Sequence, residues 1–157
     1  VGIDSLSCIS DMCKDHILRI TRPEQKGQVK TGVYEELMTM QDWQILGSRI
    51  NGLCAGLTAL PCHLIVTCLE AYKEDMVTGR MRNVLDLAGK SATQVPRFFD
   101  NAFRIETGKD TEGKRQWSFR TIGNDNTLAK GHENLEEFEP AHWGRILAKI
   151  LMKKEKK

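Results

Sequence analysis

The chain has 157 residues, enough for one ordinary domain and short for two. With 40% apolar, 28% charged and 6% aromatic residues it falls outside the collagen-like, low-complexity and disordered classes. Its 23 basic and 21 acidic residues leave +2, but Lys149 to Lys157 alone hold five Lys against one Glu, so the body is slightly acidic and a uniformly basic nucleic-acid clamp is disfavoured.

Val1-Gly2-Ile3-Asp4 reads as an apolar strand that delivers an acid at its C-terminal end. It is entered without an initiator Met, which predicts a piece of a longer domain. Ile9, Met12, Cys13, His16, Ile17 and Ile20 then fall at helical spacing, with a start expected near Ser7 or Ser10. Residues 21–32 are polar and read as an exposed loop. Val33, Leu37, Met40, Ile45 or Leu46, Ile50, Leu53, Leu57 and Leu60 keep a three-to-four period, predicting one long helix that ends at Pro61. Gly47, Gly52 and Gly56 lie inside it, where small residues suit close packing against a sheet.

His63-Leu64-Ile65-Val66-Thr67-Cys68 is a short apolar run with β-branched residues, the pattern of a parallel strand buried on both faces. Glu70 to Pro96 follows as a long segment of mixed charge. Phe98 to Ile105 and Arg115 to Ile122 read as two strands flanking Lys109 to Lys114, an antiparallel hairpin. Pro140 precedes a last amphipathic helix with Trp143, Ile146, Leu147, Ile150 and Leu151 on one face. The order strand, helix, strand, hairpin, helix predicts an α/β fold in a single domain over 1–157. Within it, 1–105 form a parallel-sheet core, 98–122 the hairpin, and 140–157 the C-terminal helix and lysine tail.

No run of about 18 apolar residues exists, so no membrane span is expected. The N-terminus has no basic region followed by an apolar core, so no signal peptide is expected either. Five cysteines are an odd number on apolar or mixed segments, read as reduced core residues of a cytoplasmic protein. Zinc ligation by Cys8, Cys13 and His16, or by Cys62 and His63, lacks the paired Cys-x-x-Cys spacing of zinc sites.

In open α/β sheets, ligands sit beyond the C-terminal strand ends. A carboxylate such as Asp4 there can hold Mg²⁺ beside nucleotide phosphates, or can simply cap the next helix. The second strand brings Thr67, and then Glu70, to the same rim. Asp4-Ser5 after an apolar strand resembles the Walker B segment of RecA-like P-loop ATPases. The order that follows is similar to one branch. It runs through a long helix, Leu60-Pro61-Cys62-His63-Leu64-Ile65-Val66-Thr67, Glu70, Thr78-Gly79, Leu87-Ala88-Gly89-Lys90, Phe99-Asp100, the hairpin and Ala129-Lys130. That branch is the phage-encoded AAA-type nucleotide-binding proteins, including the Sak group of recombination ATPases, which act beside single-strand-binding proteins. The resemblance spans Val1 to about Ile150.

The resemblance implies the C-terminal portion of a RecA-like core, ATP and Mg²⁺ as cofactors, and a homo-oligomer when intact. It implies that Asp4 and Ser5 face the nucleotide, with Asp4 as the Mg²⁺-associated acid. Thr67 would be the γ-phosphate sensor, Glu70 a group near the phosphates, and Lys130 a contact to nucleotide held by a neighbouring subunit. At His132 the pattern departs, because an Arg is expected there and a histidine lacks the fixed charge and planar fork of a guanidinium.

The phosphate-cradling signature G-x-x-x-x-G-K-[ST] is not present in the chain. Ala88-Gly89-Lys90-Ser91 carries its end, but its first Gly is replaced by Val84 and the helix would run into Pro96. A polypeptide of these residues is therefore expected to bind ATP poorly and not to hydrolyse it. The loop after Glu70 occupies the place of a single-stranded DNA-binding loop, with Lys73, Arg80, Arg82 and Lys90 as candidate contacts. Two other classes fit the residues: a non-catalytic ATPase-derived assembly module completed by a partner's strands, and a metal-dependent nuclease or transferase using Asp4, Glu70 and Asp100.

Overall fold

The computed structural model of the protein describes residues 1–21, 37–74, 79–109 and 111–152. The polar stretch at 22–32, Val33, Asp75, Thr78, Asp110 and the lysines beyond Met152 lie outside the described residues. The chain forms a mixed α/β structure divided into two compact units, residues 1–71 with 84–98, and residues 72–83 with 99–157.

In the first unit, β1 (Gly2–Ile3) pairs in parallel with β2 (Ile65–Val66), Gly2 opposite Ile65 and Ile3 opposite Val66. The parallel order predicted from sequence is present, but the strands are shorter than the apolar runs. The second strand is not buried on both faces: Ile65 is 42% exposed. Helix α1 (Leu6–Thr21) starts at Leu6, and the Ser5 hydroxyl accepts a hydrogen bond from the Cys8 amide at 3.4 Å. Its buried side holds Leu6, Ser7, Ser10, Ile17 and Leu18. Met12 and Ile20, placed on the core face by periodicity, are exposed. Three-residue spacing tolerates that small rotation of the buried stripe.

Helix α2 (Met40–Thr58) is shorter than the periodic run because Thr39 stops it at its start. The Thr39 hydroxyl accepts from the Asp42 amide, and the Asp42 carboxylate accepts from the Thr39 amide at 2.8 Å. This reciprocal cap satisfies two otherwise unpaired backbone donors and explains why Asp42 is buried. Leu46, Ile50 and Cys54 face the core, where α2 packs on α1 and on a short helix α3 (Ser91–Gln94) with the 3₁₀ turn Val95–Phe98. The glycines do not serve a sheet contact. A methyl at Gly47 would meet the Ser91 hydroxyl at 3.7 Å, and at Gly52 or Gly56 it would meet nothing. Asn51 donates to Gln94 at 2.7 Å, tying α2 to α3.

The segment from Glu70 to Pro96 is not one loop. It contains a two-stranded sheet of β3 (Glu70–Glu74) and β4 (Met81–Leu85), followed by α3. Lys73 and Arg82 therefore stand on strands, and Arg80 just before β4. In the second unit, β5 (Arg104–Lys109) and β6 (Arg115–Arg120) form the predicted antiparallel hairpin, with Lys109 opposite Arg115 and Arg104 opposite Arg120. Phe98 belongs to the 3₁₀ turn, so the first hairpin strand starts later than its aromatic run suggests. A third strand, β7 (Phe138–Pro140), adds antiparallel to β6; Pro140 is tolerated there because this is a sheet edge.

Helix α4 (Trp143–Leu151) follows, with the His142 imidazole accepting from the Arg145 amide. Ile146 is fully buried, whereas Trp143 and Leu151 are exposed, so the helix buries a narrower stripe than its sequence pattern. No helix among the described residues is long and apolar enough to cross a membrane.

Candidate functional site

The C-terminal ends of β1 and β2 are fastened to each other and to α1. The Thr67 amide donates to Ile3 carbonyl at 2.9 Å, and the Leu6 amide donates to Thr67 carbonyl at 2.8 Å. Between these two bonds the Thr67 hydroxyl donates to Asp4 Oδ1. The Asp4–Ser5 peptide bond is cis. One residue on, the Ser7 hydroxyl lies 3.2 Å from Cys68 Sγ and accepts from the Leu69 amide at 3.1 Å. Asp86 in turn donates its amide to Leu69 carbonyl at 2.8 Å. Residues 67–69 are thus laced to the first turn of α1. Asp4, Thr67 and Glu70 are all solvent-exposed, with Glu70 opening β3.

Burial pushes the Cys68 thiol above its ordinary range, and the Asp86 carboxylate adds to this against hydrogen bonds from Ser7 and Asp86. Burial does the same to Cys54. Neither is a nucleophile at neutral pH, because only the thiolate attacks. Of the five cysteines, all free, Cys54 is buried while Cys8 and Cys62 are exposed, so they are not uniformly core residues.

Asp4, Ser5, Thr67 and Glu70 belong to the first unit and Asp4 with Thr67 make direct contact, as their strand-end placement predicts. Ser5 spends its hydroxyl on the α1 cap. Lys130, in the second unit, donates its ammonium to Phe99 carbonyl at 2.8 Å and exchanges two backbone bonds with Ala102. Its side chain closes a loop. Nearby His132 Nδ1 accepts from the Asn134 amide at 3.2 Å.

Gly89-Lys90-Ser91 is no phosphate cradle: the helix it opens has four residues, and Ser91 is buried against α2. The spacing Gly-x-x-x-x-Gly-Lys does occur from Gly108 to Lys114, but it is followed by Arg115 and connects two antiparallel strands rather than a strand and a helix. Of the proposed nucleic-acid contacts, Arg80 pairs loosely with Asp125 at 3.7 Å on the surface. Lys73, Arg82 and Arg80 lie along the β3–β4 ribbon, while Lys90 stands at the start of α3. Residue order does not single out Lys109, Arg115 and Trp117, which only the β5–β6 register brings onto one face.

Among the described residues no three His, Cys, Asp or Glu side chains come together in a group that could hold a metal ion. One exposed carboxylate flanked by hydroxyls is still a hard-oxygen donor set. It suits Mg²⁺ that keeps most of its water and takes its other ligands from phosphate. No family model, curated protein or solved structure matches the chain.

Proposed function

We propose that the protein is an ATP-binding protein of the RecA-like P-loop class, of the phage-encoded kind that acts in DNA recombination or replication. One observation carries the reading: the Thr67 hydroxyl rests on the Asp4 carboxylate at the C-terminal ends of two adjacent parallel strands. That is where such sheets present nucleotide ligands. Asp4 would hold Mg²⁺ through bound water, and the ion when present would neutralise phosphate charge.

Thr67 has a single hydroxyl proton, which it donates to Asp4. A terminal phosphate oxygen in reach competes for that proton, so the partner of Thr67 reports whether the phosphate is there. The lacing of residues 67–69 to Ser7 transmits the choice to Glu70 and the start of β3. The chain's own residues supply acid and sensor. The phosphate cradle would come from a G-x-x-x-x-G-K-[ST] segment outside them.

An amide NMR titration with millimolar Mg·ATP tests the site. Shifts are expected to cluster at Asp4, Ser5, Thr67 and Cys68, to require Mg²⁺, and to vanish in Asp4→Ala. Shifts elsewhere, or saturation at micromolar ATP with turnover, would overturn the assignment.

A non-catalytic assembly module is a second reading, favoured by the exposure of the parallel pair. Ile65 and Leu69 are 42% and 57% exposed, and a two-stranded sheet is marginal on its own in water. Such a module is expected to self-associate as concentration rises; a clean monomer by light scattering at 100 μM (roughly the concentration range where exposed strand edges aggregate) would exclude it.

A further inference from the structure

The three-stranded sheet of the second unit separates its charges by face. Because side chains alternate along a strand, Arg104, Glu106, Ser118, Arg120 and Phe138 share one face. There the opposed cations Arg104 and Arg120 are neutralised: each contacts Glu106 at 3.0 Å, and Arg120 also reaches Glu137 at 3.0 Å. Its guanidinium lies over Phe138 as well.

The other face carries Ile105, Thr107 and Lys109 on β5 with Arg115, Trp117 and Phe119 on β6. Among the described residues of the three strands, its one carboxylate is Glu139 on β7. That group is buried and held by Lys149 at 2.6 and 2.8 Å. Lys109 and Arg115 are directly opposite each other at the far end of the ribbon. Like charges in that position destabilise a strand pair. Next to them Trp117 is 50% exposed, with the Arg115 guanidinium 4.8 Å from its ring centroid, and Ile105 is 58% exposed. An open depression is lined by four consecutive residues of β5, Arg104, Ile105, Glu106 and Thr107.

We infer that this end of the β5–β6 hairpin is a binding platform for single-stranded DNA. Trp117 is a flat, exposed ring on which an unpaired base can stack, and its Arg115 partner adds a cation beside the base. Lys109 and Arg115 meet the phosphates that flank it, which relieves their mutual repulsion. A protein partner offers acidic side chains but no repeating base-and-phosphate alternation to match a ring beside two cations. A duplex hides the faces of its bases. The platform stands on the hairpin alone; only the choice of DNA over RNA rests on the recombination reading.

The test is fluorescence anisotropy of labelled dT20, without nucleotide or Mg²⁺, so that its failure leaves the Asp4–Thr67 assignment untouched. Wild type is expected to bind dT20 and to bind the corresponding duplex at least tenfold more weakly (about the loss of one stacked base). Trp117→Leu should weaken binding about tenfold. Lys109→Gln with Arg115→Gln should lower the slope of log affinity against log salt by about 1.4, two phosphate contacts on a single strand.

If Trp117→Leu fails to fold, quenching of wild-type tryptophan emission by unlabelled dT20 decides instead, because stacking on Trp117 requires it. Several results would overturn the platform: no binding by wild type, equal affinity for duplex, or wild-type affinity in the hairpin variants. Tighter binding of U20 than of dT20 would overturn the choice of DNA over RNA. Loss of binding in Arg80→Gln with Arg82→Gln, while the hairpin variants bind normally, would move the site to the β3–β4 ribbon.

Discussion

Lys149→Ala is expected to destabilise the second unit by about 2 kcal/mol at neutral pH. Lys149 reaches back from α4 to place its ammonium on both oxygens of Glu139, which sits on β7 with 2% of its surface exposed. Removing one partner of a buried pair leaves a charge with nowhere to go, a loss of about 3–5 kcal/mol when both are fully buried. The Lys149 side chain is 37% exposed, so solvent screens part of that cost. Burial works against ionisation of Glu139, yet the Lys149 ammonium and the Glu136 amide outweigh it and hold the carboxyl below its ordinary range.

A carboxyl depressed in the folded state adds stability above its unfolded value and loses it as pH falls through its folded value. The difference between wild type and Lys149→Ala should therefore be complete at pH 7 (well above the ordinary carboxylate range, about 4) and shrink as the solution is acidified through that range. Urea unfolding followed by circular dichroism at several pH values measures it. A pH-independent difference would show that Lys149 acts by packing alone.

Gly131→Ala is expected to cost about 3 kcal/mol, the upper range for an overpacked site. A methyl there would stand 2.8 Å from Thr121 carbonyl oxygen and 2.9 Å from its Cβ. Thr121 cannot give way. It is fully buried, its hydroxyl donates to Glu136 carbonyl, and its amide donates to Glu137 carbonyl at 2.9 Å. Gly56→Ala is the matched control. Its methyl would meet nothing within 4 Å in a helix interior, so it should gain up to about 1 kcal/mol. Thermal unfolding distinguishes the two by opposite shifts in midpoint; equal midpoints would mean that the 121–131 loop relaxes freely.

The parallel pair was legible because Ile3 and Ile65-Val66 are apolar, β-branched and each followed by a polar residue at the strand end. That same pattern placed Asp4 beside Thr67, the one contact on which the nucleotide reading stands. The hairpin was legible from two aromatic and β-branched runs around a Gly-containing turn. Strand β7 was not, since Phe138-Glu139-Pro140 is short, contains a proline and buries a charge. Lys130, which the resemblance implies as a contact to nucleotide, has its ammonium on a carbonyl 31 residues away in sequence, a pairing that residue order does not reveal. The start of α2 was overrun for a local reason: periodicity continued through Thr39, while the reciprocal cap with Asp42 ended the helix there.

By itself, then, the amino-acid sequence determined the elements whose cause is local: apolar period, turn chemistry and the acid at a strand end. Tertiary structure alone decided which faces are buried, which charges are paired and which side chains meet across strands. Those depend on contacts between residues far apart in the chain, whose energies no local pattern records. The charge balance shows the difference. The sequence yields a near-neutral sum with a lysine-rich end, whereas the β5–β6 register divides the charges of the hairpin into one neutralised face and one that sets two opposed cations beside an exposed tryptophan.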